Sequence, residues 1–176
     1  MSRTSKIGLP RPKILISERR IRRRISVLGR RITKDFMGGE LTVIYVTNGA
    51  LIFSADLVRQ IKLPIKIENI SASSYSSNKN TGRLKIRLPA ALNVKGRHVL
   101  VVDDILDSGK TLAKIAGRLK RQRPASIKIC VLLEKDIGFR SGIKADYVGF
   151  KIPCFFVYGY GLDYKDYCRN IPYLAR

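Results

Sequence analysis

The sequence predicts an α/β fold built on a mainly parallel sheet, and three observations carry that prediction. Apolar runs of strand length recur along the chain, as LTVIYV, HVLVVD and SIKICVLL. Between them lie segments whose apolar residues return every three or four positions, the period of one helix face. Strands and helices alternate, which is the pattern of βαβ units and hence of parallel sheets. A length of 176 residues, 45% of them hydrophobic, suits one domain that buries roughly two thirds of its unfolded surface. No internal repeat or linker divides it.

Taken in order, Ser17 followed by Glu18 marks a helix start. Ile21, Ile25, Leu28 and Ile32 then draw one apolar stripe, with arginines on the other face. Leu41 to Val46 reads as a buried strand, and Thr47 to Ala50 as the turn feeding a second helix. That helix takes Leu51, Phe53, Leu57, Val58 and Ile61 as its apolar positions. IKIENI, Ile65 to Ile70, is a further strand. SASSYSSNKNTG, Ser71 to Gly82, is polar, ends in glycine and has no apolar period, so it is expected to be a mobile loop of the kind that forms lids. His98 to Asp103 is the clearest strand. Lys110 to Arg121 is the clearest helix, with Leu112, Ile115 and Leu119 inward and Pro124 beyond its end. Ser126 to Leu133 and Asp146 to Ile152 complete the pattern.

Composition narrows the chemistry. Thirty-five Lys and Arg face thirteen Asp and Glu, a formal charge of +22, and such an excess turns attention to anionic partners. Through Asp35, twelve basic residues stand against Glu18 and Asp35 alone. No aromatic stacking motif is interleaved with them, so a solvated face is the plainer reading. Cys130, Cys154 and Cys168 are odd in number and lack C-x-x-C spacing, which indicates neither a disulfide framework nor a zinc ribbon. A reducing cytoplasm is the expected compartment. No apolar run approaches the roughly 20 residues of a membrane helix, and MSRTSKIGLPRPK lacks the apolar core of a secretory signal. His98 is the only histidine, which leaves little for a histidine-based triad or a multi-histidine metal site.

The informative stretch is VLVVDDILDSGKTL, Val99 to Leu112. Asp103 and Asp104 close a strand, Asp107 lies in the turn, and Ser108, Gly109, Lys110 and Thr111 open a helix. Ligands of open parallel sheets sit outside the carboxyl ends of the strands. Free N–H groups at a helix start attract phosphate, and glycine lets the backbone come close. The adjacent carboxylates suit a divalent cation or sugar hydroxyls. A P-loop is excluded because G-x-x-x-x-G-K-[ST] needs glycine where Asp104 stands. Helix capping accounts for one carboxylate, not three.

VVDDILDSGKTL resembles the phosphoribosyl pyrophosphate signature of the type I phosphoribosyltransferases. From about Lys13 to Tyr173 the chain is similar to their hypoxanthine-guanine branch. The resemblance implies one domain over 1–176: a basic arm over 1–16, a flexible loop over 71–83 and a small hood with the base-binding segment over 151–176. It implies that Asp103 and Asp104 bind the ribose hydroxyls, directly or through Mg2+, that Asp107 is the general base or acid at the purine, and that Ser108 to Thr111 hold the 5-phosphate. SSY, ending in Ser74 and Tyr75, resembles the tip of the loop that closes over pyrophosphate. Lys135 in LLEKD would donate to the purine 6-oxo group. In FFVYGYGLDY, Phe156 would stack on the base, Val157 would read its edge, and Asp163 would be a metal-side carboxylate. Arg169 would reach pyrophosphate.

Two departures stand out. The family commonly has Leu-Lys-Gly-Gly at its pyrophosphate loop, where this chain has Thr47, Asn48, Gly49 and Ala50, so an amide replaces a cation near the leaving group. The acidic pair, commonly Glu-Asp, is Asp103-Asp104, one methylene shorter at its first member. The implied reaction is transfer of 5-phosphoribosyl from phosphoribosyl pyrophosphate to hypoxanthine or guanine, giving IMP or GMP and pyrophosphate, in a homodimer or homotetramer. The alternative is a nucleotide-sensing regulator on the same fold that binds nucleic acid, which the charge and the Arg19 to Arg24 cluster would suit. Asp107, Lys135 and Asp163 together favour the enzyme.

Overall fold

The computed structural model describes residues 12–74, 84–137 and 142–176. After a short strand, Ile14–Ile16 (β1), the first helix runs Glu18–Asp35 (α1) and buries Ile21, Ile25, Leu28 and Ile32. Glu18 in its first turn and Lys34 in its last complement the helix dipole. There follow Leu41–Thr47 (β2), Leu51–Val58 (α2), Ile65–Ser74 (β3), Leu84–Arg87 (β4), His98–Leu106 (β5), Lys110–Lys120 (α3), Ser126–Asp136 (β6), Tyr147–Pro153 (β7) and Leu174–Ala175 (β8). The main sheet has the order β4-β3-β2-β5-β6-β7. Every neighbouring pair is parallel except β3 with β4. The second sheet is the antiparallel pair of β1 with β8.

Helices cover both faces, which is why the central strands read as continuous apolar runs. Along β5, Leu100 and Val102 pack toward α1 and α2 with Phe53, Leu57 and Leu28. Val99 and Val101 point the other way, into a second core with Leu112, Ile115 and Leu119 of α3. This is the two-residue alternation of a strand with both sides buried. From β2 the chain moves outward to β3, whereas from β5 it moves the opposite way to β6 and β7. The crevice between the carboxyl ends of β2 and β5 is therefore the topological switch point, where this architecture binds ligands.

Three expectations need correcting. The second helix ends at Val58, so Ile61 is buried beyond it and Leu51 at its start is exposed. Ser71–Ser74 continue β3 because β4 pairs with them from Arg87 to Leu84, so the expected loop does not begin at Ser71. Its remainder, 75–83 with Tyr75, lies outside the described residues. The arm expected over 1–16 ends in β1, and 1–11 lie outside the described residues. His98 is structural: its Nδ1 meets Ser126 Oγ at 2.7 Å, and its ring stands edge-on to Phe36. Among the described residues, no helix is long and apolar enough to cross a membrane.

Candidate active site

At the switch point the ends of β2 and β5 frame a cleft of about 350 Å³. Thr47 and Gly49 form one wall, the run from Asp103 to Leu112 the floor, and Asp163 with Arg169 the far side. The floor follows from sequence. β5 keeps its register with β6 to Leu106, and Gly109 then turns the chain at φ +75° and N-caps α3. A side chain at that φ is strained. The turn presents Ser108, Lys110 and Thr111 around the start of α3, where the first N–H groups have no helical partner.

Asp103 is 7% exposed and Asp104 half-buried. The Asp104 N–H donates to Asp103 Oδ1 at 3.0 Å. Burial, and then the neighbouring Asp104 charge, push the Asp103 carboxyl well above its ordinary value of 3.8. Burial also raises Asp104, against hydrogen bonds and Arg169 that favour its charge. Desolvation disfavours an ion, so this pair is costly to ionise in the bare protein. The folded pKa of Asp103 lies above the unfolded value, so stability is lost as pH rises from 3.8 through the raised value. Asp103→Asn keeps the acceptor and removes the charge. In pH-resolved thermal melts without divalent cation, it should melt above wild type at pH 7 and converge with it in acid. The gain should be roughly 2–4 °C per kcal/mol relieved.

A smaller recess of about 230 Å³ adjoins the cleft and shares Asp104, Ile105, Asp107 and Asp163 with it. Lys135, Phe156, Val157 and Leu162 complete its lining. Lys135 Nζ donates to Asp107 Oδ2 at 2.8 Å, a pairing that sequence reasoning had not drawn between two residues 28 positions apart. Phe156 is 60% exposed and offers its ring to the opening, while Val157 beneath it is buried. Tyr158 and Tyr164 support that ring at 6.5 and 6.0 Å between centroids.

Asp163 is held on both oxygens. Oδ1 pairs with Arg169 Nη2 at 2.8 Å, and Oδ2 accepts the Asp166 N–H at 3.0 Å. Arg169 also donates to the Gly161 carbonyl at 2.8 Å. Tyr160 donates its hydroxyl to Asp56 of α2, tying this segment to the helix that begins beside Gly49. Neither this link nor the β1–β8 pair had a local sequence signal. Among the described residues, Asp103, Asp104 and Asp163 are not gathered into one cluster of three that could hold a metal. Asn48 bonds Leu51 through its carbonyl, and the Thr47–Asn48 peptide is cis. Ser74 ends β3.

A family model described as a phosphoribosyl transferase domain matches residues 15–165. The hypoxanthine-guanine phosphoribosyltransferase of Bacillus subtilis is 40% identical over 164 residues, covering 93% of this chain and 91% of that protein. The hypoxanthine phosphoribosyltransferase of Haemophilus influenzae is 40% identical over 168 residues, with 93% of each chain covered. A crystal structure of a hypoxanthine phosphoribosyltransferase from Staphylococcus aureus superposes with a TM-score of 0.88 at 33% identity, covering 99% of this chain and 95% of that one.

Proposed function

The chain belongs to the phosphoribosyltransferase family, and from that membership and its site we infer that it is a purine salvage enzyme: it transfers 5-phosphoribosyl from phosphoribosyl pyrophosphate to hypoxanthine or guanine. The single observation that carries the reading is the junction of the two recesses. One is lined by a phosphate-binding turn and an acidic pair, the other by a lysine and an aromatic ring, and Asp107 belongs to both.

In this reading the N–H groups and hydroxyls of Ser108 to Thr111 hold the 5-phosphate. Asp103 and Asp104 hold the ribose hydroxyls, and Thr47 to Ala50 with Arg169 face the pyrophosphate. Ser74 and Tyr75 belong to the same binding set by family likeness. The purine lies on Phe156, with Val157 at its edge. Its imidazole nitrogen attacks the anomeric carbon as the bond to pyrophosphate breaks, and the electron pair of that bond leaves on pyrophosphate. The ring proton passes to the Asp107 carboxylate. The transition state resembles an oxocarbenium ion, as in glycosyl transfer generally.

Lys135 sets the 6-oxo preference. Its ammonium only donates, so it satisfies an oxo group and opposes the amino group of adenine, leaving buried donors unpaired. Its ion pair with Asp107 also holds base contact and proton acceptor in one arrangement.

The acidic pair fits Mg2+. It offers hard oxygen donors in a buried setting that disfavours uncompensated charge, and this ion takes one or two carboxylates plus substrate oxygens rather than a full protein cage. Asp103 and Asp104 would hold it on the ribose side, and Asp163 would serve a metal beside pyrophosphate. Bound, it neutralises charge on the sugar diphosphate and orients it. Three free cysteines agree with a cytoplasmic setting. Exposed Leu51 and Ile52 at the base of the pyrophosphate loop support assembly as a homodimer or homotetramer.

The test is pyrophosphate release with phosphoribosyl pyrophosphate, Mg2+ and each of hypoxanthine, guanine, xanthine and adenine. Turnover with 6-oxopurines and at least 100-fold less with adenine is expected. Equal turnover with adenine would remove the role given to Lys135, and no turnover with any base would remove the enzyme reading.

A further inference from the structure

We propose that the exposed face of α1 docks on the phosphate backbone of duplex DNA, independently of sequence and of the catalytic cleft. Salvage catalysis uses none of this face. With about 100° per residue, Arg19, Arg23, Arg30 and Lys34 fall within a 60° arc opposite the buried stripe of Ile21, Ile25, Leu28 and Ile32. All four are exposed. At about 1.5 Å per residue they form a row roughly 22 Å long.

None of the four makes an ion pair among the described residues. The only acids of α1 stand at its ends, where Glu18 pairs with Arg22 and Asp35 with Arg31. Arg22 flanks the row on one side. Arg20 and Arg31 flank it on the other, resting over the rings of Phe150 and Tyr147. The face is thus a convex ridge of charge with arginines on both shoulders.

The choice of partner follows from what the ridge lacks. A protein interface needs a desolvated apolar or aromatic centre, and the only large apolar residue exposed on α1 is Val27 at 39%. Anchoring in a bilayer surface needs an apolar helix face free to insert, and here that face is buried in the core. Single strands bind on aromatic platforms, of which α1 has none. Backbone binding to a duplex needs only accessible charge, and guanidinium matches phosphate geometry. The B-form major groove, about 12 Å wide, admits a helical ridge whose shoulders meet phosphate on either side. The A-form groove is deep and narrow.

The experiment is fluorescence anisotropy of a labelled 20-base-pair DNA duplex of arbitrary sequence, titrated with the whole protein from 50 to 200 mM KCl. Wild type is compared with the triple variant Arg19→Gln, Arg23→Gln, Arg30→Gln. The expected result is binding whose logarithm falls linearly with the logarithm of salt, with a slope shallower by about 2.7 in the variant, three lost contacts at about 0.9 each. Pyrophosphate release by the variant should stay within twofold of wild type, which shows that it folds. An unchanged slope, tighter binding of an RNA duplex, single-stranded DNA or anionic phosphatidylserine vesicles, or release of DNA by saturating phosphoribosyl pyrophosphate would each overturn the proposal.

Discussion

Asp107→Ala should lower kcat for hypoxanthine by about 10²- to 10⁴-fold, the usual worth of a positioned proton acceptor, while KM for phosphoribosyl pyrophosphate stays within a few fold. Asp107 lines both the larger cleft and the recess beside it. Its side chain is half exposed and, among the described residues, makes one ion pair, to Lys135, so the fold should survive its loss nearly unchanged. Steady-state kinetics with a thermal melt as control separates chemistry from folding. Asp107→Asn, which keeps the shape and a bond partner for the substrate, is the stricter variant, since it removes only proton acceptance. If Asp107→Asn retained more than a tenth of wild-type kcat, the proton would have to leave by another route.

The second large effect is expected at Gly49. A Cβ built on this glycine would overlap the carboxylate of Asp104, with Oδ2 as its nearest neighbour. The colliding atoms are the end of a side chain rather than backbone, so Gly49→Ala is accommodated by turning Asp104 aside. The fold is kept and the site is lost. A displacement of about 1 Å in a positioning group costs on the order of 10²-fold. We therefore expect kcat/KM for phosphoribosyl pyrophosphate to fall about 100-fold, with Tm changed by only a few degrees. Activity within twofold of wild type would mean that Asp104 has no fixed position to keep. Positions 49 and 104 meet only because β2 and β5 lie side by side, a proximity that no local sequence pattern records.

What could be read from the chain depended on how local the signal was. β2, β5 and β6 announced themselves because both of their faces are buried, and α1 and α3 because one face is. β4 went unseen. Its four residues, LKIR, alternate polar with apolar at the edge of the sheet, too short a pattern to stand out from loop. Ser71–Ser74 looked like loop because they are small and polar, yet pairing with β4 overrides composition. Ile61 misled because apolar type was taken for helix position. In the site, the residues from Asp103 to Leu112 that line the cleft were legible as one contiguous stretch. The Lys135–Asp107 bond, the Tyr160–Asp56 tie and the Asp163–Arg169 clamp were not, since no period or spacing in a sequence records which side chains a fold will bring together.

The pairing of β1 with β8 sets a timetable for synthesis. Ile14 and Ile16 are made early but find Ala175 and Leu174 only when those residues exist, and Lys13 exchanges both backbone bonds with Arg176. At about 5–20 residues per second, β1 waits on the order of 8 to 30 seconds on the ribosome, and longer while residue 176 still lies in the exit tunnel. Tyr158, which pairs with Ala175, waits with it, two residues from the ring proposed to carry the base. The nascent chain can build its whole parallel sheet and the turn at Gly109, yet the segment around Phe156 stays unfastened until Leu174 and Ala175 emerge. A ribosome-held chain stalled before Leu174 emerges should therefore retain phosphoribosyl pyrophosphate before it can turn over any base.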